Sequence, residues 1–284
     1  MEYVLVRAAA AFLALLPASA AASFSGFLGS AIYLLSAKRR KTALENLETA
    51  FGASLPLSRK KEIARKSLAH TLFSIFEFFN IPRVIKKSPE LFSFEGTEHL
   101  DQAFKKGKGV IGVISHLGSW EYLAFLPFLR GYPCSVVVRD IKNPHIHAWL
   151  RRLRKMTKLN PIDRKSSLKE ILRELRANHY VALLIDQWAG HDGLWLDFFG
   201  KPTSTTSVPA RLAMKTGAAL VPMHCVRGVK GYKITIFPEV PLKEEKETTL
   251  ELNRVLEREI LKYPEQWIWS HRRWKDQWRH IRGL

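Results

Sequence analysis

From Ala8 to Ala37 the chain runs thirty residues without a charged side chain, and Lys38-Arg39-Arg40-Lys41 follows at once. About 20 apolar residues are enough to cross the hydrocarbon of a bilayer, so residues 1–37 are expected to form an N-terminal membrane-anchoring helical segment. A basic cluster abutting such a stretch tends to remain in the cytoplasm, which places the following domain, residues 38–284, on that side. Two other readings exist. Ala18-Ser19-Ala20 resembles a signal-peptidase site, although only Arg7 supplies positive charge before it and the apolar stretch runs well past it. Pro17 and the Ser/Gly-containing middle can instead break the segment into two helices that lie on the membrane.

The rest of the chain has the size and apolar content, 284 residues and 46% hydrophobic overall, for one large core. Lys and Arg number 45 against 26 Asp and Glu, a net charge of +19. Partners are therefore expected to be anionic: nucleic acid, anionic lipid head groups or an acidic carrier protein. Only Cys134 and Cys225 are present, both flanked by strand-like residues, which argues against a disulfide framework or a C-x-x-C metal site. No metal and no cofactor is expected.

Periodicity predicts helices over Thr42 to Phe51 and Leu57 to Asn80, the second started near Ser58 and stopped by Pro82. Glu77 in that helix reads as a carboxylate turned to solvent or paired with a lysine. Beyond Phe92 the rhythm changes. Helices are predicted over Glu98 to Lys106, from Ser119, over Ile146 to Met156, Ser166 to Ala177, Val208 to Lys215 and Glu247 to Leu261. Strands are predicted over Val110 to Ile114, Ser135 to Val138, Val181 to Ile185, Ala219 to Cys225 and Tyr232 to Phe237. Alternating strands and helices imply an α/β fold. Strands that are apolar throughout imply a central, largely parallel twisted sheet covered on both faces by helices.

The sharpest local feature is Val110-Ile111-Gly112-Val113-Ile114-Ser115-His116-Leu117-Gly118-Ser119-Trp120-Glu121. His116 follows the end of an apolar strand, where ligands bind in α/β sheets. Positions five apart on one helix point about 140° away from each other, so His116 and Glu121 meet only if His116 sits in a loop and Glu121 in the first helical turn. Glu121 is then expected to take a proton from one ring nitrogen and leave the other as a general base. Free N–H groups at the helix start are expected to serve a developing oxyanion. Arg139 follows a strand, with Asn143 close behind, and is a candidate for a phosphate or the oxyanion; its alternative is a surface loop arginine. Arg164 has a similar case. Asp186, with Gln187 after it, closes another strand and reads as a hydrogen-bonding support for the site. A metal pair of Asp186 with Glu121 lacks further ligands at useful spacing. At the C-terminus Trp267, Trp269, Trp274 and Trp278 alternate with His271, Arg272, Arg273, Lys275 and Arg279. That mixture fits a membrane interface, single-stranded nucleic acid, or a terminal helix with partly buried tryptophans.

Several blocks in order give the sequence a resemblance to the lipid A biosynthesis acyltransferases, the late lauroyl and myristoyl transferases with an H-x-x-x-x-E/D motif. They are Ala43-Leu44-Glu45-Asn46-Leu47, Glu95-Gly96-Thr97-Glu98-His99-Leu100, His116 to Glu121, Ile185-Asp186-Gln187, Phe198-Phe199-Gly200-Lys201-Pro202 with Thr205-Thr206, Leu212-Ala213 to Thr216-Gly217-Ala218, and Pro264 to Arg273. Glycerolipid acyltransferases carry Phe-Pro-Glu-Gly-Thr downstream of the His motif, whereas the Glu-Gly-Thr here, Glu95 to Thr97, lies upstream. Mannoside acyltransferases of the wider family usually have Asp at the place of Glu121.

The resemblance implies transfer of a fatty acyl chain from acyl carrier protein to a hydroxyl of a Kdo-bearing lipid A precursor. The place would be the cytoplasmic face of a bacterial inner membrane, with anionic lipids as neighbours. His116 and Glu121 would be catalytic, without a covalent acyl-enzyme. Arg139, Asn143, Arg164, Asp186, Gln187, His271, Arg272 and Arg273 are the candidates for substrate contact. The alternatives are another glycolipid or glycerolipid acceptor and, from a different class, a membrane-tethered nucleic-acid-binding protein. The second is supported by charge and the aromatic tail alone, and no nucleic-acid-binding motif can be read.

Overall fold

A computed structural model of the protein describes residues 1–124, 130–138, 141–163 and 167–275. The apolar N-terminal stretch is two helices, α1 (Glu2–Leu15) and α2 (Ala18–Leu35), broken at Leu16-Pro17. The proline has no N–H and fixes its own φ, so the chain turns there and restarts. α3 (Ala37–Phe51) begins five residues before the expected Thr42 because the Ser36 hydroxyl accepts from the Arg39 amide and caps it. α4 (Leu57–Phe79) ends at Asn80, and Pro82 sits in the first turn of a further helix, α5 (Ile81–Leu91). Pro82 thus opens a helix as well as closing one, since a first-turn N–H has no intrahelical partner to lose.

The domain that follows runs β1 (Phe92–Glu95), α6 (Thr97–Lys105), β2 (Val110–Ile114), β3 (Cys134–Val138), α7 (Pro144–Lys155), β4 (Leu159–Asp163), α8 (Ser167–Arg176) and β5 (Tyr180–Leu184). It continues with β6 (Leu194–Phe198), β7 (Lys201–Thr205), α9 (Val208–Thr216), β8 (Ala219–Gly228), β9 (Gly231–Ile236) and α10 (Glu245–Lys262). Seven strands form one sheet in the order β1-β9-β8-β2-β5-β3-β4, and β6-β7 form a separate hairpin. Every pairing in the large sheet is parallel except β8 with β9. This is the mixed α/β architecture with a mostly parallel, helix-flanked sheet that the sequence implies, and β2 at its centre is buried throughout.

Alternate residues of β2 face two apolar layers. Ile111 and Val113 join Val181, Leu183 and Leu220 in a core covered by α3, α4, α9 and α10. Val110 and Ile114 join Tyr180, Ala182, Val221 and Met223 on the other face, under α5 and α6. Gly112 lies beneath the Tyr180 ring, where even a Cβ would collide with the phenol oxygen at 1.8 Å. Strands β1, β4, β6 and β7 and helix α5 escaped sequence reading. β4 carries Pro161, which is tolerable because β4 is an edge strand. The β6-β7 hairpin turns on Phe199 and Gly200, both at positive φ, 53° and 67°. That geometry suits a two-residue turn matching strand twist, and Glu257 accepts the Phe199 amide at 2.7 Å.

Candidate active site

β2 and β5 are parallel neighbours with Ile114 opposite Leu184, so His116 and Asp186, each two residues past a strand end, arrive at the same height. Asp186 Oδ1 lies 2.9 Å from His116 Nδ1, and Asp186 Oδ2 accepts the His116 backbone amide at 3.0 Å. The Trp267 indole donates to the same Oδ2 at 2.9 Å. A carboxylate at Nδ1 makes that nitrogen the protonated one and leaves Nε2 with a lone pair. The Gln187 amide nitrogen stands 3.4 Å from Nε2, and the edge of the Trp120 ring packs on the imidazole with centroids 5.0 Å apart.

The ring's carboxylate partner is therefore Asp186, and not Glu121 as the motif spacing suggested. Glu121 lies in a short 3-10 turn, Trp120–Ala124, and is held by Arg154 of α7 through two hydrogen bonds, 2.6 and 3.2 Å. Burial pulls the His116 pKa down, but the Asp186 charge, its hydrogen bond and the more distant Glu121 charge outweigh this and hold it above the usual value. Burial would raise Asp186, yet the imidazole and the hydrogen bonds to it bring its pKa down to about 2. The pair is thus tuned for an anionic Asp186 beside a ring that accepts a proton readily.

The loop between β2 and this turn is stitched down. Gly118 has φ +66°, and a Cβ there would sit 2.0 Å from the Cys225 carbonyl oxygen. Its amide donates to the Gln266 carbonyl at 2.8 Å, and that of Ser119 donates to the Cys225 carbonyl at 2.6 Å. With the Leu117 amide on Ser115 Oγ and the His116 amide on Asp186, the N–H groups of residues 116 to 119 all have partners. Those four amides are engaged within the protein, and the turn that carries Glu121 starts after them, at Trp120. Beneath the loop, Glu77 is buried and paired with Arg227 through bonds of 2.8 and 2.9 Å, and it accepts the Ser119 hydroxyl at 2.8 Å. The expectation of a solvent-facing or lysine-paired Glu77 is corrected: the sheet end β8 brings it an arginine that sequence reading could not place.

A cavity of about 510 Å³ opens at this site. His116, Glu121 and Arg154 are among its polar lining residues, and Ile114, Leu123, Val136, Leu150, Ala182 and Leu184 are among its apolar walls. Tyr180 also lines it. Its shape and chemistry suit a hydrocarbon chain whose head meets polar groups.

The other candidates are distributed differently. Arg139 and Arg164 lie outside the described residues. Asn143 caps α7, accepting the His145 and Ile146 amides, and donates to Glu2 at 3.0 Å. His271 is half-buried, its pKa lowered first by burial, with the His116 and Arg273 charges adding to that and the Asp186 charge opposing it. Arg272 is exposed. Arg273 has no exposed surface; its guanidinium donates to the Ser204 carbonyl at 2.5 Å, Thr205 Oγ1 at 2.7 Å and the Gln187 carbonyl at 3.2 Å, and stacks over Phe198. It clamps the C-terminal segment to the β7 strand instead of reaching outward. Trp267 and Trp269 are likewise core residues, 1% and 0% exposed, which corrects their reading as interface or stacking residues. Their tight turn after α10 folds them under the sheet, against Phe198 and Phe51.

Residues 1–276 match the family described as bacterial lipid A biosynthesis acyltransferase. The chain is 29% identical over 265 residues to the lipid A biosynthesis palmitoleoyltransferase of Escherichia coli K12, covering 88% of this chain and 85% of that protein. It is also 29% identical over 253 residues to the lauroyltransferase of the same organism, covering 84% and 80%. A phosphatidylinositol mannoside acyltransferase of Mycobacterium tuberculosis is 29% identical over 147 residues, half of this chain and 46% of that one, so the match spans about half the relative's length. A family match across nearly the whole length, in a chain whose His116 lines a largely apolar cavity, means that this chain belongs to the bacterial lipid A biosynthesis acyltransferases.

Proposed function

We propose that the protein transfers a fatty acyl chain from acyl carrier protein to a hydroxyl of a Kdo-bearing lipid A precursor at the cytoplasmic face of a bacterial inner membrane. The observation that carries this reading is the His116–Asp186 pair at the rim of the apolar cavity. The acyl chain lies in the cavity and its thioester carbonyl stands near His116. Nε2 takes the proton of the acceptor hydroxyl as its oxygen attacks the carbonyl carbon. Asp186 stabilises the imidazolium and keeps the ring in the Nδ1–H tautomer, while the Glu121 charge adds to that stabilisation from Arg154's grip. The tetrahedral intermediate then expels the thiolate, which takes its proton from the imidazolium.

Direct attack is supported by the absence of an activated nucleophile on the described cavity wall. Cys134 reaches the wall, but burial pushes its thiol pKa far up, so the thiolate is not populated. The Ser119 hydroxyl is engaged with Glu77.

Replacing His116 with Ala is expected to lower transfer at least about 10²-fold with the circular dichroism spectrum unchanged; near-normal turnover would overturn the assignment. Incubation with a panel of acyl carrier proteins and a tetra-acylated precursor, read by product mass, tests donor and acceptor. The mycobacterial likeness gives a mannose-bearing glycolipid as the second acceptor to include.

A further inference from the structure

α1 presents two unlike faces. Val4, Leu5, Phe12 and Leu15 are 66%, 63%, 57% and 77% exposed. At about 100° per residue these four fall within an arc of about 100°. The other face is docked: Ala10 is buried, the Tyr3 ring lies 5.8 Å from that of His145, Arg7 stands 5.0 Å over Trp149, and Glu2 accepts from Asn143. α2 continues the exposed apolar surface with Phe27, Leu34 and Leu35, and buries Ala21, Ser25 and Gly29. Large apolar side chains exposed in such number on neighbouring helices mark an interaction site. Exposed Lys38, Arg39 and Lys41 stand at its end, which suits anionic head groups.

α2, at 18 residues, is long and apolar enough to cross a bilayer. A single crossing there would put α1 on one side and everything after α2 on the other. Yet Glu2, Tyr3 and Arg7 touch α7, well inside the catalytic domain. α2 also lies flush on α4, where a Cβ on Gly29 would come within 2.5 Å of the Ala69 amide nitrogen and Arg65 donates to Ser30 at 3.2 Å. Standing α2 upright in hydrocarbon would drag Arg65, and Lys66 beside it, into the membrane at a cost of several kcal/mol.

We propose that α1 and α2 form a monotopic hairpin, which lies in the interface of one leaflet with the α1 stripe buried in lipid and does not cross. This rests on the membrane reading given under the proposed function. α7, against which α1 docks, contributes Leu150 and Arg154 to the acyl cavity, so the hairpin holds the cavity rim against the leaflet that carries a lipid acceptor.

The native thiols Cys134 and Cys225 are buried, so introduced cysteines can be read alone. Glu2→Cys and Val229→Cys, the latter on a fully exposed turn of the catalytic domain, are placed singly in the full chain in sealed membrane vesicles. A membrane-impermeant maleimide is expected to label both from the same side. Labelling of Glu2→Cys only from the opposite side overturns the proposal. In a second experiment the Leu5→Glu, Phe12→Glu double variant is expected to bind phosphatidylethanolamine–phosphatidylglycerol vesicles at least about tenfold more weakly than the parent, with unchanged circular dichroism. Unchanged binding overturns the role of the stripe. A parent chain that does not bind vesicles overturns the membrane reading and the hairpin together, whereas same-side labelling in a protein without acyl transfer leaves the hairpin standing and removes the proposed activity alone.

Discussion

His116 has two ring nitrogens with different neighbours, and the difference sets what can be measured. Nδ1 is held by Asp186, so only Nε2 can collect a proton. With the neutral ring as the proposed base, the rate should climb as pH rises through a pKa above the imidazole's usual 6.5. In Asp186→Asn the carboxylate that raises this pKa is gone while burial remains. The acid limb of the pH–rate profile should move to lower pH, and the plateau should fall roughly 10²- to 10⁴-fold. Glu121→Gln should move the limb the same way by less, since its charge acts at a greater distance. A limb that stays in place in Asp186→Asn contradicts the assignment. Glu77 acts on the site from below. Removing one partner of a buried pair strands the other, so Glu77→Ala should cost about 3 kcal/mol of stability, read from the denaturant midpoint. A loss under half that would show that Arg227 finds water instead.

At the scale of elements, the cavity is a property of strand faces. Ile114, Val136, Ala182 and Leu184 point into it because residues two apart on parallel strands share a side. Ala182, nearly at the sheet's centre, is the small residue on that wall. Ala182→Leu fills part of the space a chain would use, and the preferred acyl chain should shorten by about two to three carbons, the added side-chain length. Product mass spectra with a ladder of donors check this; an unchanged preference would place the chain elsewhere. The alternation of strands and helices that built this wall was legible because apolar runs, glycines and prolines mark element ends locally. β4 was not legible, since Asn160 and Pro161 break its apolar pattern, and an edge strand needs only one neighbour.

The whole molecule is closed by its far end. Asn46 on α3 donates to the Trp269 and His271 carbonyls at 2.7 Å each, Ser67 on α4 donates to the Trp267 carbonyl, and Trp267 reaches Asp186. The first and last sequence blocks of the resemblance are thus one contact, which ties the Asp186 carboxylate to the N-terminal helices. Asn46→Ala takes the side-chain donor from the Trp269 carbonyl and leaves the His271 carbonyl with the Arg273 amide alone, which should lower stability by about 1 to 2 kcal/mol, measured as a fall in Tm. No change in Tm would mean that the C-terminal segment is held without it.

Legible in the chain alone were the helices other than α5, five of the nine described strands, the layered fold, the apolar N-terminal stretch, the family and the position of His116 at a strand end. All of these depend on order and spacing along the chain. What each residue faces follows from the packing of the elements. Asp186, seventy residues from His116, becomes its partner because β5 pairs with β2 in register, and Arg227 reaches Glu77 across the end of β8. Arg273 and two tryptophans that look like surface features in the sequence are buried by the closing turn. Side-chain type and spacing specify an element, but a hydrogen-bond partner is chosen by which strands lie next to each other, and that pairing is non-local.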